Sequence, residues 1–212
     1  MRKTGAGGIM ETEFKYNLKD TSVFDKIAEN AEINKIGLEA VESIEMHASY
    51  FDTPEMDFRR KGIAYRIRQE DERYTATIKW DVNVQEGLHR REEFNLVVND
   101  ERFAENPDIS IFISSDAYEV LYDAAGNKPL HKTISMDYER RQIKVDTGKS
   151  ISCISVDEGV IHHFDGHEVP ICELEVEWYY GDEDDFITLA NLIRDKYGLE
   201  TEDRSKLQRA FE

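Results

Sequence analysis

Several shortages in this sequence each exclude a class of protein. There are two cysteines in 212 residues, Cys153 and Cys172, and they lack the spacing of a metal-ligand pair. With no signal peptide in view, they are read as reduced thiols of a cytoplasmic protein. No apolar run approaches the length of a membrane span. Positive charge is scarce as well. Against 45 Asp and Glu stand 27 Lys and Arg, leaving a formal net charge of -18. The summed field repels phosphate backbones and anionic lipid, so neither nucleic acid nor a membrane is an expected partner. A small anion stays admissible where cations gather in one pocket. No repeat, linker or low-complexity segment divides the chain.

The composition that remains is that of a soluble folded protein. Charged residues make up 34% and hydrophobic ones 40%, with ten Tyr and ten Phe. The length suits one domain with a sizeable core. Residues 10–212 are taken as that domain. Met1 to Ile9, Gly-rich and basic, is read as a disordered tail or a start-site artefact ahead of Met10.

The chain opens on Glu11-Thr12-Glu13-Phe14-Lys15, in which Glu11, Glu13 and Lys15 share one strand face and Thr12, Phe14 and Tyr16 the other. The same habit recurs. Ala64, Arg66 and Arg68 oppose Tyr65 and Ile67, and Thr75, Thr77 and Lys79 oppose Ala76, Ile78 and Trp80. His89, Arg91, Glu93 and Asn95 oppose Phe94, Leu96 and Val98. Tyr138, Arg140, Gln142 and Lys144 oppose Ile143 and Val145; Cys153, Ser155 and Asp157 oppose Ile154 and Val156. Ile171, Glu173, Glu175 and Glu177 oppose Leu174, Val176 and Trp178. A further strand is expected over 43–52, stopped by Thr53-Pro54.

Three helices are expected between the strands. One is capped at Ser22, with Val23, Phe24, Ile27, Ala28 and Ala31 apolar. One starts at Ser115 or Asp116 and stops at Gly126. One starts over Asp182 to Asp185 and ends at Gly198. Phe58 to Lys61 reads as a basic connector, Asn99 to Pro107 as a polar break, and Ser205 to Ala210 as a short helical or extended tail.

About eight strands therefore have one apolar and one charged face. An open sheet with its charged face in water would tolerate the pattern. Two features favour closure. Charges segregate by sign from strand to strand, and like charges repeat two residues apart at Arg66/Arg68 and Glu173/Glu175. That is unfavourable on a bare surface and useful where a multivalent ligand or metal neutralises it. The expected fold is α+β: an eight-stranded antiparallel closed β-barrel with helices packed outside. Its lumen would hold Lys15, Arg66, Arg68, Lys79, Arg91, Arg140 and Lys144 with Glu11, Glu13, Glu93, Asp157, Glu173 and Glu175. An apolar-lumen carrier is thereby excluded. The mixture asks for a polyanion together with Mg²⁺ or Mn²⁺.

An ordered set of motifs sharpens this: Glu11-x-Glu13-x-Lys15, Tyr50-Phe51-Asp52-Thr53-Pro54, Arg66-Ile67-Arg68, Thr77-Ile78-Lys79, Gly87 with Arg91-Glu92-Glu93-Phe94, Glu173-Leu174-Glu175, and Ser205-Lys206. The chain resembles the CYTH family, also called triphosphate tunnel metalloenzymes, over nearly everything from Met10 onward. The resemblance implies a triphosphate bound inside the barrel beside a divalent metal. It implies Glu11, Glu13, Glu173 and Glu175 on the metal side, and Lys15, Arg66, Arg68, Lys79, Arg140 and Lys206 on the phosphate side. Glu93 and Asp157 would be further metal- or water-positioning acids, sharing the catalytic role with Glu11 and Glu13. Asn95 departs from the family pattern, in which many relatives carry a second acid.

The expected reaction is phosphoryl transfer from a triphosphate to water, with inorganic tripolyphosphate as substrate. A class IV-type adenylyl cyclase and a thiamine triphosphatase stay open, as does a module that binds triphosphate or polyphosphate without turnover. A homodimer also stays open.

Overall fold

A computed structural model of the chain describes residues 3–4, 8–70, 73–99 and 105–212. Eight strands carry the fold: β1 (Gly8–Asn17), β2 (Glu42–Asp52), β3 (Ala64–Glu70), β4 (Arg73–Gln85), β5 (Leu88–Val98), β6 (His131–Asp146), β7 (Ser150–His163) and β8 (Glu168–Gly181). They run antiparallel in the order β1-β5-β4-β3-β2-β6-β7-β8, and β8 pairs back onto β1. The sheet is thus a closed eight-stranded barrel, as the alternation predicts.

The closing seam is β1 itself. Its first half pairs with β5, Glu11 opposite Arg91, and its second half with β8, Lys15 opposite Glu175. Glu13 faces His89 on one side and Glu177 on the other. One strand therefore joins two walls of the lumen.

The helices are α1 (Ser22–Ala28), α2 (Ala31–Ile36), α3 (Asp57–Arg60), α4 (Asp116–Ala125), α5 (Glu183–Tyr197) and α6 (Lys206–Arg209), with a 3-10 turn over Ile109–Phe112. The outward apolar faces of β1 and β6–β8 bury Phe14, Tyr16, Ile143, Ile154, Val156, Leu174 and Val176 against Phe24 and Ile27 of α1 and Phe186, Ala190 and Ile193 of α5. On the other side, Tyr65, Ile67, Ala76 and Ile78 meet Phe58, Phe112, Ala117 and Leu121. Each Val, Leu, Ile or Phe among them contributes roughly 1.5–3 kcal/mol of burial.

A third apolar cluster lies on the lumen parity at one end of the barrel. Tyr50, Ile134, Met136, Tyr138, Ile161 and Ile171 pack there against Leu207, Ala210 and Phe211 from the C-terminal segment. That segment stands across one end of the lumen. Ser205 caps α6, accepting from Gln208 N–H while the Gln208 side chain accepts from Ser205 N–H.

Several local expectations are corrected. Gly8 and Ile9 belong to β1, Ile9 opposite Glu93, and Lys3–Thr4 pairs with them, so the strand begins before Met10. Ser22 does not cap α1: its N–H donates to Asp20 Oδ1 at 2.9 Å, a shorter local turn. Ala31 starts a second helix, α2, whose first N–H groups donate to Asn30 Oδ1. Phe58 to Lys61 is mostly helical, because Asp52 accepts from the N–H groups of Phe58 and Arg59 at 2.9 Å and anchors the first turn. Most of the 99–107 break lies outside the described residues.

Candidate active site

The lumen is a cavity of about 610 Å³. It brings together Glu11, Glu13 and Lys15 of β1, Arg66 and Arg68 of β3, Lys79 of β4, Arg91 and Glu93 of β5, Arg140 of β6, Glu175 of β8, and Lys206 of α6. These are eleven of the residues expected from the sequence, delivered by seven elements. The alternation that sends apolar side chains to the helices sends the ten strand residues inward, and α6 brings Lys206 to them.

The charges are interleaved. Lys79 Nζ lies 2.7 Å from Glu11 Oε1 and 2.8 Å from Glu93 Oε2. Arg91 reaches Glu11 Oε2 at 3.0 Å and also pairs with Glu13. Arg140 Nε meets Asp157 Oδ1 at 2.7 Å, and its Nη2 meets Glu175 Oε2 at 2.6 Å. Lys206 Nζ lies 2.7 Å from Asp157 Oδ2 and 3.1 Å from Glu175 Oε1, and pairs with Glu173. Lys15 bridges Glu13 at 3.2 Å to Glu175.

These neighbours set the protonation states. Burial opposes charge on Glu93, but Lys79 and Arg66 outweigh it and hold its carboxyl near 2. Burial is likewise overcome for Glu175, by Lys15, Lys206 and Arg140, and for Asp157, by Arg140 and Lys206, so both stay ionised. Lys15 and Lys206 stay protonated, the pull of adjacent carboxylates exceeding the burial penalty. Glu177 is the exception. Burial, with the like charges of Glu11, Glu13 and Glu93, pushes its carboxyl up to about 8.

Three expected residues do not line the cavity. Asp157 and Glu173 are fully buried behind it, Asp157 clamped by Arg140 and Glu173 held by Lys206 and Arg209. Their carboxylates lie within 4.8 Å of each other and of Glu175, a group close enough to share one cation. As placed, Asp157 pairs with Arg140 and Lys206 from behind the cavity wall. Lys144 is corrected. Although it keeps the lumen parity, it sits past the rim, 3.4 Å from Glu39 and 36% exposed.

Other residues line the cavity but were not singled out from the sequence. Glu177 continues the spacing of Glu173 and Glu175, and that signal was available. Tyr50, Tyr138 and Tyr179 share the parity but read as core. Glu42 and Glu70 sit at the open end, where strand ends carry no clear pattern. Arg209, one helical turn after Lys206, lies behind the cavity and pairs with Glu173. His89, on the charged face of β5, is buried with Nε2 2.8 Å from Glu202 O. Burial and the nearby Lys15 lower its pKa and keep it neutral.

The donors fit a metal and an anion together. Carboxylate oxygens alone suit a hard divalent cation. Arg66 Nε is buried with no hydrogen-bond partner in the cavity wall, a donor with no described acceptor, as an anion slot requires.

The chain is similar to several known proteins. An inorganic triphosphatase of Haemophilus influenzae is 25% identical over 163 residues, 77% of this chain. The match spans 44% of that relative, so the chain corresponds to less than half of its length. The fold is shared with a candidate adenylyl cyclase from Hippeastrum, described as having a dominant triphosphatase activity, at TM-score 0.70, 18% identity and 95% coverage of both chains. It is also shared with a candidate adenylate cyclase of Bacillus halodurans, at TM-score 0.60, 16% identity and coverage of 97% and 100%. The CYTH domain model matches residues 10–211, and the chain belongs to the CYTH domain family.

Proposed function

We propose that the protein is a divalent-metal-dependent triphosphatase whose substrate is inorganic tripolyphosphate. One observation carries this reading. A cavity sized for a small ligand holds Arg66, Arg68, Lys79, Arg91, Arg140 and Lys206 interleaved with carboxylates, and Arg66 has an unsatisfied buried donor. The matched segment of the Haemophilus influenzae inorganic triphosphatase supports it.

Glu11, Glu13, Glu175 and Glu177 would hold the metal, Mg²⁺ or Mn²⁺, from the seam of β1 and β8. When bound, that cation neutralises phosphate charge and raises the acidity of a water. The chain's own residues do the rest. Arg66, Arg68, Lys79 and Arg91 grip the phosphate oxygens and keep the triphosphate extended along the lumen. Arg140 and Lys206, fixed by Asp157, set the position of its inner end. Water attacks the terminal phosphorus in line, the bridging P–O bond breaks, and the cations stabilise charge on the departing diphosphate. No protein nucleophile is needed. Cys153 and Cys172 are free thiols, in keeping with a cytoplasmic setting, and among the described residues no helix is long and apolar enough to cross a membrane.

A second reading has one observation in its favour. Ile44, Met46 and Tyr179 give the open end an apolar lining that could take the organic part of a nucleoside triphosphate or of thiamine triphosphate. The deciding experiment measures phosphate release from tripolyphosphate, ATP and thiamine triphosphate with Mg²⁺ or Mn²⁺, and cyclic AMP in the ATP reactions. Release from tripolyphosphate, lost in Glu13→Ala and Glu175→Ala with the fold intact by circular dichroism, is expected. Cyclic AMP without phosphate would establish a cyclase. Metal-dependent triphosphate binding without turnover would leave a binding module.

A further inference from the structure

The cavity changes sign along its axis. On β3 the lumen-facing residues run Ala64, Arg66, Arg68, Glu70, so two cations are followed at the open end by a carboxylate. Successive inward positions are about 6.6 Å apart along a strand and, with a strand tilt of roughly 35–45°, about 5 Å apart along the barrel axis. Arg66 and Arg68 therefore serve about the length of one triphosphate, and Glu70 stands where the next phosphate of a longer chain would lie. Glu42 lines the same end from the neighbouring strand β2. Both carboxylates are held in place: Glu42 accepts from Gln142 Nε2 at 2.8 Å, and Glu70 pairs with Arg68 Nε at 2.8 Å. At the opposite end Ser205, Lys206 and Leu207 line the cavity, and the C-terminal segment stands across it.

We propose that Glu42 and Glu70 form an acidic collar that ends the phosphate path and sets the substrate class. The site would take a chain of three phosphates, free or carrying an uncharged or cationic organic group at its outer end, and would reject a longer linear polyphosphate. The proposal rests on the triphosphate reading above and adds a length limit to it. A fourth phosphate would place its charge between two carboxylates, while a neutral group there meets Ile44 and Met46.

The test compares kcat/KM for tripolyphosphate and tetrapolyphosphate, with Mg²⁺, in the wild type and in the double variant E42Q/E70Q. Both positions are at the rim, so the isosteric changes should leave folding intact. The wild type should prefer tripolyphosphate by about tenfold or more, and the variant should narrow that preference at least about fivefold. Added KCl should narrow the wild-type preference and leave the variant's nearly unchanged. An unchanged ratio in the variant, or a wild-type preference for tetrapolyphosphate, overturns the collar. Absence of turnover on either chain counts against the hydrolase reading alone. In that case the two affinities measured by calorimetry with Mg²⁺ decide the collar, and equal wild-type affinities, or no binding, overturn it.

Discussion

Replacing Glu177 by glutamine should make the metal-free protein more stable while removing activity. In the folded chain the Glu177 carboxyl sits at about 8 against an ordinary 4.5, because burial and the charges of Glu11, Glu13 and Glu93 disfavour its ionised form. Folding at neutral pH must therefore load a proton that the unfolded chain has released. Between pH 4.5 and 8 the native state binds more protons than the unfolded state, so stability falls as pH rises through that window. At pH 7 the handicap is at most about 3 kcal/mol, from roughly 1.4 kcal/mol per pH unit above the unfolded value. It should be under about 1 kcal/mol at pH 5 and reach about 4–5 kcal/mol at pH 8.5. Glutamine carries no such proton and keeps the shape.

The assay is denaturant unfolding of wild type and Glu177→Gln in EDTA at pH 5, 7 and 8.5. The variant's advantage should grow with pH. An advantage of the same size at all three values would refute the reasoning, since a packing effect does not titrate. In the same samples, phosphate release with Mg²⁺ should drop by about a hundredfold or more, as expected when a metal-side carboxylate is lost.

Arg66→Gln should raise KM for triphosphate by about tenfold or more, since a charge-assisted contact is worth roughly 1.5–3 kcal/mol. Steady-state kinetics with an unfolding curve separates this from misfolding. Lys144→Ala should leave kcat/KM within about twofold, because the side chain pairs with Glu39 outside the lumen and exposed pairs contribute roughly 0–1 kcal/mol. Gly159→Ala should destabilise the barrel by about 3 kcal/mol or more, since a Cβ there would stand 2.2 Å from Asp137 O and 2.5 Å from Tyr138 Cα where β6 and β7 meet. Its melting temperature checks this.

The barrel was legible because its period is simple. Phe14, Ile67, Ile78, Val156 and Val176 alternate with charges, and a two-residue period assigns each strand one wet and one dry face. The same rule named ten of the cavity residues, and Lys206, on a helix, came only from the family resemblance. The rule failed where it knows only parity and not position along the axis. Lys144 has the right face but lies beyond the rim. Asp157 and Glu173 have the right face but lie behind Arg140 and Lys206. Ile134, Met136 and Ile161 share that face and plug an end of the barrel instead. The helix starts were blurred for a different reason. Asp20, Asn30 and Asp52 each capture backbone N–H groups just ahead of a helix, and such short-range competition carries no periodic signal.

The lumen also explains how a chain of net charge -18 can hold a polyanion. Its acids Glu11, Glu13, Glu42, Glu70, Glu93, Asp157, Glu173 and Glu175 are matched in number by Lys15, Arg66, Arg68, Lys79, Arg91, Arg140, Lys206 and Arg209, while Glu177, its carboxyl pushed up to about 8, adds no charge at neutral pH. Most are paired inside, so the interior is close to neutral whatever the surface carries. Each ion pair is also a pair of latent ligands. A cation that takes Glu11 and Glu13 frees Arg91 and leaves Lys79 only its pair with Glu93, and an anion that takes Arg91 and Lys79 releases the carboxylates. Either event alone leaves unpaired charge in a poorly solvated space, where it costs several kcal/mol. Both together leave none. On the proposed function, the affinities for metal and triphosphate would therefore be coupled and, by linkage, equally in both directions. The buried salt-bridge network would set that coupling, and the coupling would give the buried charges a use beyond stability.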